Sequence, residues 1–361
     1  MKTIRPHHLL PLLLLAVSTV ATSQALAASR TVDPDGTIHV QTVAIPPSAV
    51  LSDEARKALQ RPTEGPGAAQ PSPANAMSMA ERRVAMNNDL QPRVQHMRDL
   101  YPVDIEETTI DGIPVAIITP KGGIPARNRN RIMLNVPGGG FVTGIRANGL
   151  FISIPVASIG KMKVITALYR QGPEYRFPAA TEDFMKVYKY ALARYKPKNI
   201  GMLGCSAGGV LVAQTVAAAL MSGMPAPGVL GLYCAGAGAR FDGDSATFSS
   251  ILAGGMGVGG VIAADPNGYL SGIDTTRTEV SPVNDLSLLA RFPPTILATG
   301  TRDFAMSQAA YTHRRFLAAG VESDLLIYDG LGHGFMTNPD LPESRDLYDI
   351  TVKFYDRHLG H

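Results

Sequence analysis

Beyond Val103 the chain alternates short strand-like runs with longer helical stretches. The runs are Ile110 to Ile118, Arg131 to Val136, Lys163 to Leu168, Ile200 to Gly204, Val229 to Cys234, Thr295 to Thr299 and Leu325 to Tyr328. Several are apolar throughout and do not alternate with polar residues, as strands buried on both faces of a parallel sheet must be. Strands interleaved with helices predict an α/β domain. No sequence repeat of fixed period appears, which sets aside solenoids and propellers.

Upstream the pattern weakens. Ser78 and Glu81 have capping-box spacing, and the residues after them run helically to Pro92, which predicts a cap helix. Between Val43 and Pro73 the chain is rich in Ala and Pro, including Pro46, Pro47, Pro62, Pro66, Pro71 and Pro73, and reads as an arm with at most one short helix. Between Ala235 and Ser281 lies a Gly-rich stretch without a strong period, too long for a plain connection and expected to form a lid or binding insertion.

At the amino terminus Lys2 and Arg5 precede the apolar run Leu9 to Val20, which ends in the small residues of Ala25-Leu26-Ala27. That is the layout of a secretory signal, and about 12 apolar residues fall short of the roughly 20 that span a bilayer. The expected organisation is therefore a signal over 1–27, an arm over 28–76 and an α/β body over 77–361 with cap elements near 77–100 and 235–281. The mature protein is expected to be exported, periplasmic or secreted, with no stable membrane anchor.

Composition agrees with a globular protein. Of 361 residues, 45% are hydrophobic, 17% are charged and two are cysteine, which excludes intrinsic disorder and a disulfide-built scaffold. Residues 1–27 carry Lys2 and Arg5 but no acid, so their removal takes the net charge from +3 to +1. With no basic stripe to neutralise phosphates, nucleic acid is not an expected partner.

The chemistry centres on Gly204-Cys205-Ser206-Ala207-Gly208-Gly209, which follows the run Ile200 to Leu203 and precedes the helical run Val210 to Met221. G-x-S-x-G in a strand-turn-helix context is a nucleophile elbow, and side chains at Gly204 or Gly208 would collide with neighbouring backbone. A second cluster, Pro137-Gly138-Gly139-Gly140-Phe141, follows the run ending at Val136. With the N–H of Ala207, those of Gly139 and Gly140 supply three oxyanion donors. Among the histidines downstream of residue 27, His39 lies in the arm, His96 in the cap, His313 beside Arg314 and Arg315, and His358 and His361 at the tail, all expected to be solvated. His333, in Gly332-His333-Gly334-Phe335 just past a strand, is the candidate base, and Asp303, directly after Thr295 to Thr299, its acid. Cys205 and Cys234 fall at the ends of neighbouring strands, and the tight elbow at Cys205 favours two free thiols over a bridge. Gly255-Met256-Gly257-Val258-Gly259-Gly260 fits a dinucleotide motif by letter, but no buried strand feeds it, so it reads as lid glycine. Metal-ligand spacings are absent and no cofactor is called for.

Together the glycine loop, Tyr169-Arg170-Gln171-Gly172-Pro173-Glu174 with Phe177-Pro178-Ala179-Ala180, the elbow, Asp303 and His333-Gly334-Phe335 resemble the hormone-sensitive-lipase-like family of α/β hydrolases from about Met77 onward. The resemblance implies a mostly parallel sheet of about eight strands with a helical cap over an acyl pocket. It also implies the triad Ser206, Asp303 and His333, oxyanion donors at Gly139, Gly140 and Ala207, and Arg170 and Glu174 as structural partners beneath the site. Two positions depart from the family pattern: Pro137 stands where a His usually precedes the glycines, and Cys205 where an Asp usually precedes the nucleophile. Hydrolysis is expected to be retained but altered. The expected substrate is a small ester of short to medium acyl chain; a lactonase using the same triad, or a non-catalytic ligand-binding protein on a hydrolase scaffold, is the alternative. The last strand leaves a homodimer open.

Overall fold

The computed structural model describes residues 30–34, 36, 38–40, 44–60, 77–252 and 268–360. The expected signal and the motif Gly255 to Gly260 lie outside them. The chain divides into two compact units, 1–46 and 47–361. The first contains β1 (Arg30–Val32) and β2 (Ile38–Val40), paired antiparallel with Thr31 opposite His39.

The second unit begins with α1 (Asp53–Leu59), capped by Ser52, whose hydroxyl accepts the Ala55 N–H. Leu51 and Ala55 are buried, so this part of the proline-rich stretch packs with the body. The capping box of Ser78 and Glu81 forms and opens α2 (Met79–Asp89). Pro92 does not end a single helix; it sits in the first turn of α3 (Gln91–Leu100), where its missing N–H is no loss.

Eight strands form the main sheet: β3 (Val103–Ile110), β4 (Ile113–Pro120), β5 (Ile132–Val136), β6 (Lys163–Ala167), β7 (Ile200–Cys205), β8 (Val229–Tyr233), β9 (Thr295–Arg302) and β10 (Ser323–Gly332). Their order is β10-β9-β8-β7-β5-β6-β4-β3, parallel except for antiparallel β4. The run expected as one strand from Ile110 to Ile118 is broken by Asp111-Gly112, both at positive φ, into a hairpin.

Sheet residues alternate between two cores. On β8, Leu230 and Leu232 join one, and Val229 and Tyr233 the other. The first core also takes α5 (Ala179–Leu192), α6 (Ala207–Met221) and α9 (Met306–Ala318); the second takes α4 (Arg146–Gly160) and α10 (Pro342–His358). Shorter α7 (Asp244–Leu252) and α8 (Leu286–Leu289) lie between β8 and β9. In α6 only Ala218 and Met221 escape burial, which fits a helix that is apolar around its whole circumference.

Candidate active site

Four loops at the carboxyl ends of β5, β7, β9 and β10 carry the predicted residues. The elbow leaves β7 at Cys205, which pairs with Tyr233 of β8. Ser206 takes φ 57°, ψ −127°, a conformation that costs a non-glycine residue about 1–3 kcal/mol. Its surroundings enforce it: the Ser206 N–H donates to the Tyr233 carbonyl (2.8 Å), and a Cβ on Gly204 would stand 2.4 Å from the carbonyl of Gly208. A Cβ on Gly208 would stand 2.4 Å from the carbonyl oxygen of Val136. Both glycines are therefore required by close backbone approach, as the motif predicts.

The loop after β5 packs against this elbow. A Cβ at Gly138 would meet the Cys205 carbonyl oxygen at 2.6 Å and Ser206 Cβ at 3.2 Å. Gly139, Gly140 and Phe141 then all take positive φ, of 121°, 62° and 60°. Among the described residues no backbone carbonyl accepts from the N–H of Gly139 or Gly140, and Ala207, at the first position of α6, has no intrahelical acceptor. These are the three predicted donors.

The predicted base and acid come from β9 and β10, which run further than their apolar cores suggest. Arg302 pairs with Gly332, so Asp303 and His333 leave two adjacent strands at the same level. Gly300 makes this possible, because a Cβ there would collide with the Leu331 carbonyl oxygen at 2.1 Å. His333 Nδ1 donates to Asp303 Oδ1 (2.7 Å); the carboxylate also accepts from the Ala305 N–H and the Thr299 hydroxyl, each at 2.8 Å. Asp303 is fully buried, yet its carboxyl is held below the ordinary range: burial opposes ionisation, and His333 with the Ala305 N–H and the Cys234 thiol outweighs it. His333 shows the reverse balance, with burial opposing the imidazolium and the Asp303 charge and hydrogen bond raising its pKa on balance. With Nδ1 committed to Asp303, Nε2 is the nitrogen left to act.

Other side chains surround this pair. The Phe304 ring stacks on His333 with centroids 4.1 Å apart, and Phe241 meets Phe304 edge-on at 5.3 Å. Cys205 and Cys234 are free thiols, and Cys234 Sγ accepts the Gly334 N–H at 3.2 Å. Cys234 Sγ, an Asp303 oxygen and a His333 nitrogen lie within 4.8 Å of one another, donor types that zinc accepts. Here Asp303 and Nδ1 are already hydrogen-bonded to each other. Arg170 and Glu174 do not pair together: Arg170 grips Asp183 and Glu182, and Glu174 pairs with Arg83 of α2. Two histidines expected in solvent are half-buried, His313 against the Ser323 hydroxyl and His358 against Phe354 and Glu322. His96 is exposed and pairs with Asp340. Among the described residues no helix is long and apolar enough to cross a membrane.

A family described by the alpha/beta hydrolase fold matches residues 133–337, a span that runs from the glycine loop through the elbow to His333. The chain belongs to the α/β-hydrolase fold family. It is 27% identical to a versiconal hemiacetal acetate esterase of Dothistroma septosporum, over 67% of this chain and 77% of that one. It is 26% identical to an acetyl-hydrolase of Streptomyces hygroscopicus, over 68% and 81% respectively. A crystallised esterase with 26% identity superimposes with a TM-score of 0.74, covering 89% of this chain and 99% of its own. A second, from the bacterial hormone-sensitive lipase family, is 24% identical with a TM-score of 0.66, over 81% of this chain and all of its own. This α/β hydrolase is a carboxylesterase.

Proposed function

We propose that the enzyme hydrolyses small esters by two-step acyl transfer through Ser206, His333 and Asp303. The observation that carries this reading is the Asp303–His333 hydrogen bond of 2.7 Å, delivered from the paired ends of β9 and β10 in the same sheet whose strand β7 ends in the strained Ser206 elbow. His333 Nε2 takes the Ser206 hydroxyl proton as Oγ bonds to the ester carbonyl carbon. The negative oxygen of the tetrahedral intermediate lies against the N–H groups of Gly139, Gly140 and Ala207. As that intermediate collapses, the carbon–oxygen bond to the alcohol breaks and the imidazolium returns its proton to the leaving oxygen. Water, activated by the same nitrogen, then releases the acid and restores Ser206. Asp303 stays ionised throughout and stabilises the imidazolium.

An acyl group of short to medium length, acetyl included, fits a chain without Trp and with 6% aromatic residues, and accords with relatives named for acetate esters and acetyl hydrolysis. We further infer export after removal of residues 1–27, from the charged start, apolar run and Ala25-Leu26-Ala27. The deciding experiment is Ser206→Ala. Turnover of p-nitrophenyl acetate should fall by roughly 10⁴-fold or more, with loss of labelling by a fluorophosphonate probe. Retained turnover in that variant would sink the mechanism.

A further inference from the structure

The oxyanion loop is held from outside by a residue of the cap. Gly139's carbonyl accepts from the N–H groups of Val142 (2.9 Å) and Thr143 (2.8 Å) and from the Thr143 hydroxyl (3.1 Å). Because the peptide group is planar, fixing that carbonyl also fixes the Gly140 N–H on the opposite side of the same plane. The next carbonyls outward are tied as well: Phe141's accepts the Gly172 N–H (2.8 Å) and Gly144's accepts from Gln171 (3.2 Å). Val142's carbonyl, in the middle of this turn, accepts Arg83 Nε at 2.6 Å.

Arg83 ties this arrangement together. Its guanidinium donates to Val142, to the Gly172 carbonyl and to both oxygens of Glu174, at 2.9 and 2.8 Å. It thus spans the glycine loop and the 171–174 segment, and holds Glu174 below the ordinary carboxylate range. Arg83 belongs to α2, which fully buries none of its residues, so polar contacts must contribute to its docking; the Asn87 carboxamide, which accepts the Ala147 N–H at 3.1 Å, is another. No side chain at position 137 is available to brace the loop, since proline has no polar group there; only its carbonyl is held, by the Tyr169 hydroxyl at 3.0 Å.

We propose that Arg83 is a positioning residue for the oxyanion loop, which makes the alignment of the Gly139 and Gly140 donors depend on the cap helix α2 being docked. This rests on the acyl-transfer reading above. Arg83 touches no reacting atom; it acts through the Val142 and Gly172 carbonyls, for which a planar fork is suited and an ammonium is not.

The test is steady-state kinetics on p-nitrophenyl acetate with the full-length enzyme. Arg83→Ala should lower kcat about 10- to 100-fold while KM moves less than about threefold, the pattern of lost transition-state alignment. Guanidinium chloride at about 20 mM should restore at least about fivefold of the lost kcat without accelerating the wild type, because the fork's donors are what is missing. It has access, since cavities of about 550 and 270 Å³ are both lined by Arg83. Arg83→Lys should recover little, and Glu174→Gln, which leaves both carbonyl contacts in place, should lose less than about threefold. A kcat of Arg83→Ala within about twofold of wild type, a loss confined to KM, or a loss that guanidinium leaves unchanged overturns the proposal. If Arg83→Ala does not fold, Arg83→Lys carries the test, and a kcat within about twofold of wild type overturns it equally. An inactive Ser206→Ala beside a fully active Arg83→Ala removes only the role of Arg83, whereas an active Ser206→Ala removes the mechanism itself.

Discussion

Gly138 brings the glycine loop against the Ser206 elbow so closely that a methyl group on it would stand 3.2 Å from Ser206 Cβ, yet the two loops keep their shapes by different means. At the elbow the constraint is steric. Gly204 and Gly208 touch backbone on every near side, and the helix behind them is almost wholly buried. The glycine loop shares that constraint at Gly138 and Gly139, where a Cβ would meet the Cys205 and Thr143 carbonyl oxygens at 2.6 and 2.4 Å, but Gly140 has open space, and there shape comes from hydrogen bonds that run through Gln171, Gly172 and Arg83 to other elements. The proposed acyl transfer, which needs a strained nucleophile close to aligned donors, would therefore combine rigid packing with a polar framework that distant residues control.

A substitution that alters hydrogen bonding while preserving volume should show the larger kinetic effect. Asp303→Asn keeps the shape of the site but removes the charge and favours the wrong His333 tautomer, so kcat should fall by about 10³- to 10⁴-fold with little change in fold. The pH profile supplies a second readout. In the wild type kcat/KM should rise as His333 loses its proton, with a midpoint above the ordinary 6.5, because Asp303 outweighs burial. In Asp303→Asn burial outweighs the smaller raising effect of Cys205 and the midpoint should drop below 6.5. Stability moves the other way: a raised folded-state pKa means the pair's contribution is full below 6.5 and is lost as pH rises through the His333 value. Melting temperature and kcat/KM measured across that window should therefore have opposite slopes in the wild type. Equal slopes would show that another group governs one of them.

Gly208→Ala is the steric counterpart. A Cβ 2.4 Å from the Val136 carbonyl oxygen and 2.9 Å from that of Pro137 requires strand β5 or the elbow to shift. A displacement near 1 Å is expected to lower kcat by about 10²-fold and to remove several degrees of melting temperature. If kcat stays within threefold and melting is unchanged, the elbow yields more readily than its contacts indicate, and the contrast between the two loops disappears.

The same contrast decides how much was readable before any coordinates. Gly204, Gly208 and Ser206 constrain one another within five residues, so a short motif reports them. Asp303 and His333 were also legible, because each directly follows a strand, although β9 and β10 run on to Arg302 and Gly332 through polar and glycine residues that hide strand character. Strand β3 was missed because Asp104, Glu106, Glu107, Thr108 and Thr109 leave it little apolar pattern on an edge of the sheet. Arg83 had no signature at all. Its loop partners are backbone carbonyls 59 and 89 residues away, and backbone groups have no letters. Phe304 could be read as a strand-end aromatic, but its stacking on His333 depends on the register of two strands.

Pro137→His should give the smallest effect and separates the two kinds of constraint most finely. It restores the residue type usual for the family at a buried position whose carbonyl, held by Tyr169, is unchanged by the substitution. If Arg83, Gln171 and Tyr169 already define the loop, an added imidazole has no donor alignment left to improve, and kcat should change by less than about fivefold. The larger ring must instead fit near Gly149, whose added Cβ would stand 3.7 Å from the proline's own, so overpacking should cost about 1–3 kcal/mol, read as a few degrees of melting temperature. A rise in kcat of tenfold or more with no loss of stability would mean that the native loop is under-braced and that the hydrogen bonds through Arg83 are insufficient. Combining Pro137→His with Arg83→Ala then measures the coupling directly: an imidazole that rescues kcat only when Arg83 is gone shows the two residues doing the same positional work from opposite ends of the loop.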